Sequence, residues 1–415
     1  MNPTHVCILL RKASWMIALW LASAQAYAGF AEIQAQFRPD PANPTLNQFK
    51  NTTPSSGYCD WFSAFCSSRG LFSLNLPLGG LPQTTGGPVQ ARHTDPRQGA
   101  YLKVPSDWRI VTVTNDQGDS AQLEIRISGI GGRHDLGGSV HDITGGGDHE
   151  QLWSTGRWHK APTPCVATGG LNGAANNIIW FWLVPENAGA CATQALFDIP
   201  DYFYRYVHFG YELRTPNPLK MPAGIYRGTQ VYTVGPGMDF DLGDLVLPHD
   251  NIATLEFVLD VDHILKVEVP PGGNRVELEP SGGWQSWLQN GRKPSRLARD
   301  QTFSLWASSP FKMILECPEP LGNTCSVANA AGDRVPLDVA VTLPFGLTDA
   351  NGRAVNRLPL RLDGSGSEFF QPAHYVDRKP ATLHFSVSAD GAAQMLDRGG
   401  KTYSGTATVV WDSEI

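Results

Sequence analysis

The sequence predicts an all-β protein built of two sandwich domains. Three features predict it. Short segments alternate apolar and polar residues with a period of two. Turn formers are abundant, with 43 Gly and 31 Pro in 415 residues, while charged residues make up only 17%. The chain is also too long for one core, since single cores stop growing near ~250 residues. A hydrophobic content of 41% with regular patterning excludes a disordered chain.

The N-terminus carries a secretory pattern. Arg11 and Lys12 precede a short apolar run, Ala13 to Ala24, and Ala26-Tyr27-Ala28 fits the small-residue cleavage rule. Residues 1–28 are read as a signal peptide and the mature chain as starting near Gly29. The apolar run falls short of the ~20 residues that an anchor needs to span a bilayer. Loss of Arg11 and Lys12 leaves 30 basic against 39 acidic residues, a net charge of −9. With no basic run, nucleic acid is not expected as a partner.

Cys7 leaves with the signal. The remaining six cysteines fall in close sequential pairs, Cys59/Cys66, Cys165/Cys191 and Cys317/Cys325. Six cysteines allow 15 pairings, and proximity favours the sequential one. No pair has the C-x-x-C spacing of a zinc or redox site, so structural disulfides are expected.

Strand patterns recur along the chain. Leu123, Ile125 and Ile127 share one face of Ala121–Ser128. Asn177–Val184 is a continuous apolar run, as in a strand buried on both faces. Tyr202–Leu213 alternates strongly. Further on, Leu255, Phe257, Leu259 and Val261 share a face, as do Phe311, Met313 and Leu315. Val335, Leu337, Val339 and Val341 form another such set, and Leu383, Phe385 and Val387 a last one. Short strands between Gly, Pro and Asn turns argue for sandwiches.

One internal echo divides the chain. Tyr226-x-Gly228-Thr229, within 224–234, matches Tyr403-x-Gly405-Thr406, within 401–411. Each is read as the last strand of a sandwich. Domain one then spans 29–247 and domain two 252–415, joined by a linker at 248–251.

Four constellations are candidates for chemistry. Between Gly131 and Lys160 lie Arg133, His134, Asp135, His141, Asp142, Asp148, His149, Glu150, Arg157 and His159. Such density suits a metal, but the six intervening glycines favour a solvated loop, and no metal or other cofactor is expected. Tyr202, Tyr204, Tyr206 and His208 alternate on one strand face, where rings can stack on sugars or simply pack against a facing sheet; packing is favoured. Arg227 and Arg205, with Arg133 and Arg157, offer paired donors to an anionic ligand. Asp239, Asp241 and Asp244 resemble a glycosidase carboxylate set but read better as a turn. No G-x-S-x-G or H-E-x-x-H pattern is present, and no enzyme activity is expected.

Leu219–Thr229, followed by Thr233–Gly243, resembles the end of the adhesin domain in tip adhesins of the alternate chaperone–usher class, the colonisation-factor and cable-pilus type (CfaE/CblD-like). The Tyr403-x-Gly405 strand running toward Ile415 resembles the terminal strand of pilin domains. The resemblance implies two immunoglobulin-like sandwiches, the second missing one strand. Its open core is covered first by a periplasmic chaperone and then by a strand donated by the major pilin at an outer-membrane usher. Tyr403, Gly405, Ala407, Val409 and Trp411 are the expected face of the strand flanking that groove, with the Ile415 carboxylate held by the chaperone. Residues 29–247 occupy the place of a donor extension, which implies a tip position on a pilus at the cell surface. The family associates receptor binding with a positive patch on the adhesin domain; Arg227, Arg205, Arg133 and Arg157 are the candidates here for a host receptor, glycans included. The alternatives are an assembly-initiating tip subunit with little receptor binding and a secreted carbohydrate-active enzyme.

Overall fold

The computed structural model describes residues 29–413 apart from positions 170, 281, 292, 399 and 400. The signal-peptide reading and Ile415 lie outside the described residues. The architecture is all-β, with two hydrophobic cores and a few short helices.

The first core is organised by seven strands: β1 Phe30–Phe37, β2 Arg109–Thr114, β3 Ser120–Leu136, β4 Asn177–Leu183, β5 Ile199–Arg214, β6 Gly224–Thr233 and β7 Ile252–Val261. The long β3 pairs with β2 through its first half, with β4 through its second, and with β5 along its other edge. The sheet continues from β2 to β6, β7 and β1.

This topology moves the domain boundary. Residues 252–261 were expected to open domain two. Instead β7 pairs antiparallel with β6 from Ile252 to Val261 and parallel with β1 from Thr254 to Val261. Ala253, Leu255, Phe257, Leu259 and Val261 are buried in the first core. Alternation specifies which face is buried but not which core receives it. Thus 248–251 is no linker. The chain crosses at Asp262–Ile264, where His263 Nε2 meets Met221 O at 2.8 Å and Nδ1 meets Ser308 Oγ at 3.1 Å.

The 131–160 stretch is not a solvated loop either. Gly131–Leu136 completes β3, and two short helices follow, α1 Val140–Thr144 and α2 His149–Leu152. Each has a sequence-encoded start: Ser139 Oγ accepts from the Asp142 N–H, and Asp148 forms a capping box with Gln151. Trp153 and Trp158 then enter the core.

The second core lies between unequal sheets. The larger runs through β8 Leu265–Glu268, β9 Leu297–Ala307, β14 Val376–Val387, β12 Arg334–Thr342 and β11 Thr324–Asn329, in that spatial order. Facing it is a pair, β10 Lys312–Glu316 and β15 Thr408–Asp412. A short β13, Leu358–Pro359, joins β12. The expected single strand over 401–411 is broken. Tyr403 and Ser404 pair with β11, whereas Thr408–Asp412 pairs with β10. Gly405 sits at the crossing, where a Cβ would strike the backbone oxygen of Ser326. The echo with 224–234, a continuous ten-residue strand, is therefore one of sequence and not of shape.

All three sequential disulfides are present. Cys59–Cys66, Cys165–Cys191 and Cys317–Cys325 have Cα–Cα distances of 5.6, 5.8 and 5.7 Å. None bridges the two cores. The spacing of the cysteines gave the pairs but not their settings. Cys191 is buried in the first core, on a short strand where it pairs with Leu102. It ties that strand to Cys165, which follows the helical segment. Cys325 is buried in the second core, on β11 opposite Leu337 of β12. Its partner Cys317 lies just past β10, so this bridge joins the two facing sheets. Cys191 and Cys325 are thus core staples and belong to no binding surface.

Candidate functional site

The second half of β3 is built for close approach. Gly129 and Gly131 lie under the ring of Phe181 on β4; a Cβ on Gly129 would sit 2.6 Å from that ring. Tyr58 stacks on the other side of Phe181, with centroids 4.8 Å apart. Tyr58 belongs to a helical flap, 58–67, closed by the Cys59–Cys66 disulfide. The flap holds Trp61 46% exposed, edge-on to Tyr206 at 5.8 Å and to His208 at 5.3 Å.

A bulge in β5 decides which aromatics meet this flap. The register with β3 shifts between Tyr204 and Tyr206. Before it, Tyr202 and Tyr204 are fully buried, joined hydroxyl to hydroxyl at 2.9 Å, and Tyr202 packs against Trp153. After it, Tyr206 and His208 stack on each other beneath Trp61. The expected single face is thus two; Tyr202, Tyr204 and His208 are all buried, and Tyr206 is half-buried. Burial pushes the His208 imidazole down to about 4.

Two of the candidate arginines converge beside this cluster. Arg205 Nε donates to Asp135 Oδ2 at 2.6 Å, and Arg133 Nη2 reaches Asp135 Oδ1 at 2.7 Å. Asp135 is almost fully buried, while the guanidiniums are one quarter to one third exposed. Two cations share one anion, so the patch keeps a net positive charge. Arg133 is the cross-strand partner of Tyr206. Sequence reasoning missed Trp61, which no strand pattern marks; the flanking Cys59 and Cys66 were the available signal.

The other two arginines lie elsewhere. Arg157 pairs with Asp148 at 3.3 Å on the helical segment. Arg227 is exposed on β6 opposite Thr114, which itself pairs with Ser120 of β3. Ser120 and Arg133 are thirteen positions apart on one strand, or roughly 40 Å at ~3.3 Å per residue. One ligand cannot span both ends.

The metal reading finds no support in the geometry. His134 and Asp135, being consecutive in β3, point to opposite faces. His134 is enclosed by Trp153, Trp158 and Tyr202, and burial, followed by the nearby His149 and Arg133, holds it well below its ordinary range. Among the described residues no cluster of three or more His, Cys, Asp or Glu side chains is placed to hold a metal ion. The acidic turn is likewise committed: Arg109 holds Asp239 at 2.6 Å, and Arg97 holds Asp241 and Asp244 at 2.7 Å each. Burial alone would raise the Asp241 carboxyl, but Arg97 and the Gly243 and Gly237 N–H groups outweigh it and hold it below the usual range.

The second candidate surface is the outer edge of β15 over Thr408–Trp411. Among the described residues, β15 is hydrogen-bonded on one side only, to β10. Val409 and Trp411 point toward the core but are only half-buried, and Ala407 and Tyr403 likewise pack against it from its margin. Among the described residues, Trp411 Nε1 and Tyr403 Oη are buried and find no hydrogen-bond partner. No helix among the described residues is long and apolar enough to cross a membrane.

No protein-family model matches the sequence, and no curated protein is similar to it. Two solved structures align along most of the chain. One is a chaperone–tip adhesin complex of CFA/I fimbriae biogenesis, at 8% identity, covering 93% of this chain and 96% of that one, with a TM-score of 0.24. The other is the CsuC–CsuE chaperone–tip adhesion subunit pre-assembly complex of archaic chaperone–usher Csu pili from Acinetobacter baumannii. It aligns at 9% identity over 93% of this chain and 99% of that one, with a TM-score of 0.23.

Proposed function

We propose that this protein is the receptor-binding tip subunit of a chaperone–usher pilus, with domain two accepting a strand donated by the next pilin. The observation that carries the reading is the unequal second sandwich. A two-stranded sheet faces a much larger one, and its edge strand β15 leaves inward-pointing Val409 and Trp411 half-covered. An added strand along Thr408–Trp411 would pair with that edge and bury that margin. Before assembly a periplasmic chaperone would cover the same edge, and the usher would exchange it for the major pilin's extension. At the other end, Phe30–Phe37 is committed to domain one, paired with β7 and burying Ile33, Ala35 and Phe37. That segment is not free to act as a donor, which suits an end position in the fibre, on a pilus at the cell surface.

Receptor binding would fall to the patch of Trp61, Tyr206, Arg133 and Arg205, remote from domain two. An exposed ring beside guanidinium donors suits an anionic glycan.

The test is to fuse the N-terminal extension of the cognate major pilin after Ile415 through a flexible linker. The fused chain is expected to be monomeric and markedly more heat-stable, since each buried apolar side chain contributes ~1.5–3 kcal/mol. The unfused chain should be the less heat-stable of the two, and domain two expressed alone should aggregate or be degraded. A monomeric unfused chain of equal heat stability would refute the donated strand.

A further inference from the structure

The solvent face of the larger domain-two sheet holds a separate cleft. His384 and Ser386 on β14 alternate with Leu383 and Val387, which enter the core, so they point outward. Yet they are only 7% and 6% exposed. Arg296 rests on Ser386, and His384 is held between Asp300 and Thr342. β13 extends the sheet beside β12, pairing with Ala340 and Val341, and the Leu360 N–H donates to Val339 O at 2.8 Å. Because Ala340 and Ser386 are small, a cleft of about 480 Å³ remains over this face.

Arg296, Arg357 and Arg361 line it together with the carboxylate Asp338, while Asp300 pairs with Arg357 and Asp363 lies near Arg361. The floor is fixed in place. His384 Nδ1 meets Asp300 Oδ1 at 2.7 Å, and Nε2 meets Thr342 Oγ1 at 2.7 Å. Arg357 is held at both ends, its N–H donating to Thr342 Oγ1 at 3.0 Å and Nη2 to Asp300 at 3.2 Å. It does so at φ 49°, a left-handed conformation that residues with side chains rarely adopt. Such outliers persist where the surroundings over-determine them, often at binding sites. Arg296 Nη2 rests on Ser386 Oγ at 2.8 Å.

We propose that this cleft binds an acidic saccharide unit, a sugar bearing a carboxylate or sulfate. The guanidinium forks match a planar or tetrahedral anion with paired donors. Asp338 offers an acceptor for sugar hydroxyls, which a bare inorganic anion would not need. The volume is of the size that small-molecule sites occupy, roughly 300–1,000 Å³. This site is independent of the domain-one patch and of the pilus reading.

The test uses the mature full chain with 13C-labelled histidine. The His384 ring resonance is followed on titration with glucuronic acid, glucose 6-sulfate, glucose and inorganic sulfate. The two acidic sugars are expected to shift it saturably, and glucose is expected not to. Arg296→Gln with Arg361→Gln should weaken binding at least about tenfold, the loss of one or two charged hydrogen bonds. If the double variant does not fold, Arg361→Gln alone, at an exposed position, must still weaken it several-fold. Three results overturn the proposal: no shift with either acidic sugar, inorganic sulfate or glucose binding as well as the acidic sugars, or unchanged affinity in the folded variants.

Discussion

Segments 224–234 and 401–411, which lead into β6 and β15, share a local vocabulary and meet different fates. In domain one, β6 is flanked on both sides, by β7 along its length and by β2. In domain two, β15 has one neighbour among the described residues. The difference lies in the next stretch of chain. After β6 the backbone turns back and supplies β7, whose five inward residues complete the core. Among the described residues the margin of the second core has no such cover, and Val409 and Trp411 stay half-buried there. A sandwich is closed by the strand beside its last hairpin, and among the described residues domain one contains that strand.

The largest expected effect sharpens this contrast. Phe257→Ala on β7 should destabilise domain one by about 3–5 kcal/mol, as a fully buried ring lost from a closed core. Val409→Ala on β15, half-exposed, should cost under about 1 kcal/mol in the unfused chain and clearly more once a donor strand is fused. Chemical denaturation of both variants in both forms measures it. An equal cost for Val409→Ala in the two forms would break the comparison.

Next in size is a pH effect confined to domain one. His208 is held near 4 by burial, and His134 is displaced in the same direction. Both folded values lie below the unfolded value of about 6.5, so the unfolded chain binds protons first as pH falls. Stability is full above about 6.5 and is lost down to the folded values, on the order of 3 kcal/mol for His208. Thermal melts from pH 7 to 4.5 should show domain one weakening, and His208→Phe should flatten that dependence. A melt independent of pH would contradict the buried, neutral imidazoles.

The smallest effects separate the arginines. Trp61→Ala or Arg205→Gln should reduce adhesion to receptor-bearing cells several-fold. Arg227→Ala should leave adhesion unchanged and stability within about 0.5 kcal/mol of the parent, as for an exposed strand position. The reverse pattern would move the receptor site to β6.

Much of the fold was legible because alternation reports burial directly. Leu123, Ile125 and Ile127, and likewise Val335 through Val341, are inward where the pattern put them. What alternation cannot report is partnership. Residues 252–261 read as a strand but gave no sign that β1 and β6 would flank it. The β5 bulge was equally silent, since Tyr202 to His208 keeps a perfect period of two in sequence while the backbone changes face at Arg205. Asp135 illustrates the same limit: a carboxylate among glycines and histidines reads as loop, and its burial depends on two arginines brought from different strands.

The crossing at Asp262–Ile264 sets how the molecule bears force. Tension applied through domain two enters domain one at Val261, along the axis of β7. That strand is hydrogen-bonded on both edges, antiparallel to β6 and parallel to β1. A pull along its length loads these bonds together, in shear, and cannot open them one at a time as a zipper opens. With an anchor at the distal end of β3 and β5, the line of tension would run through the middle of the sheet. Resistance along β7 would then rest on a ladder of weak bonds loaded in parallel.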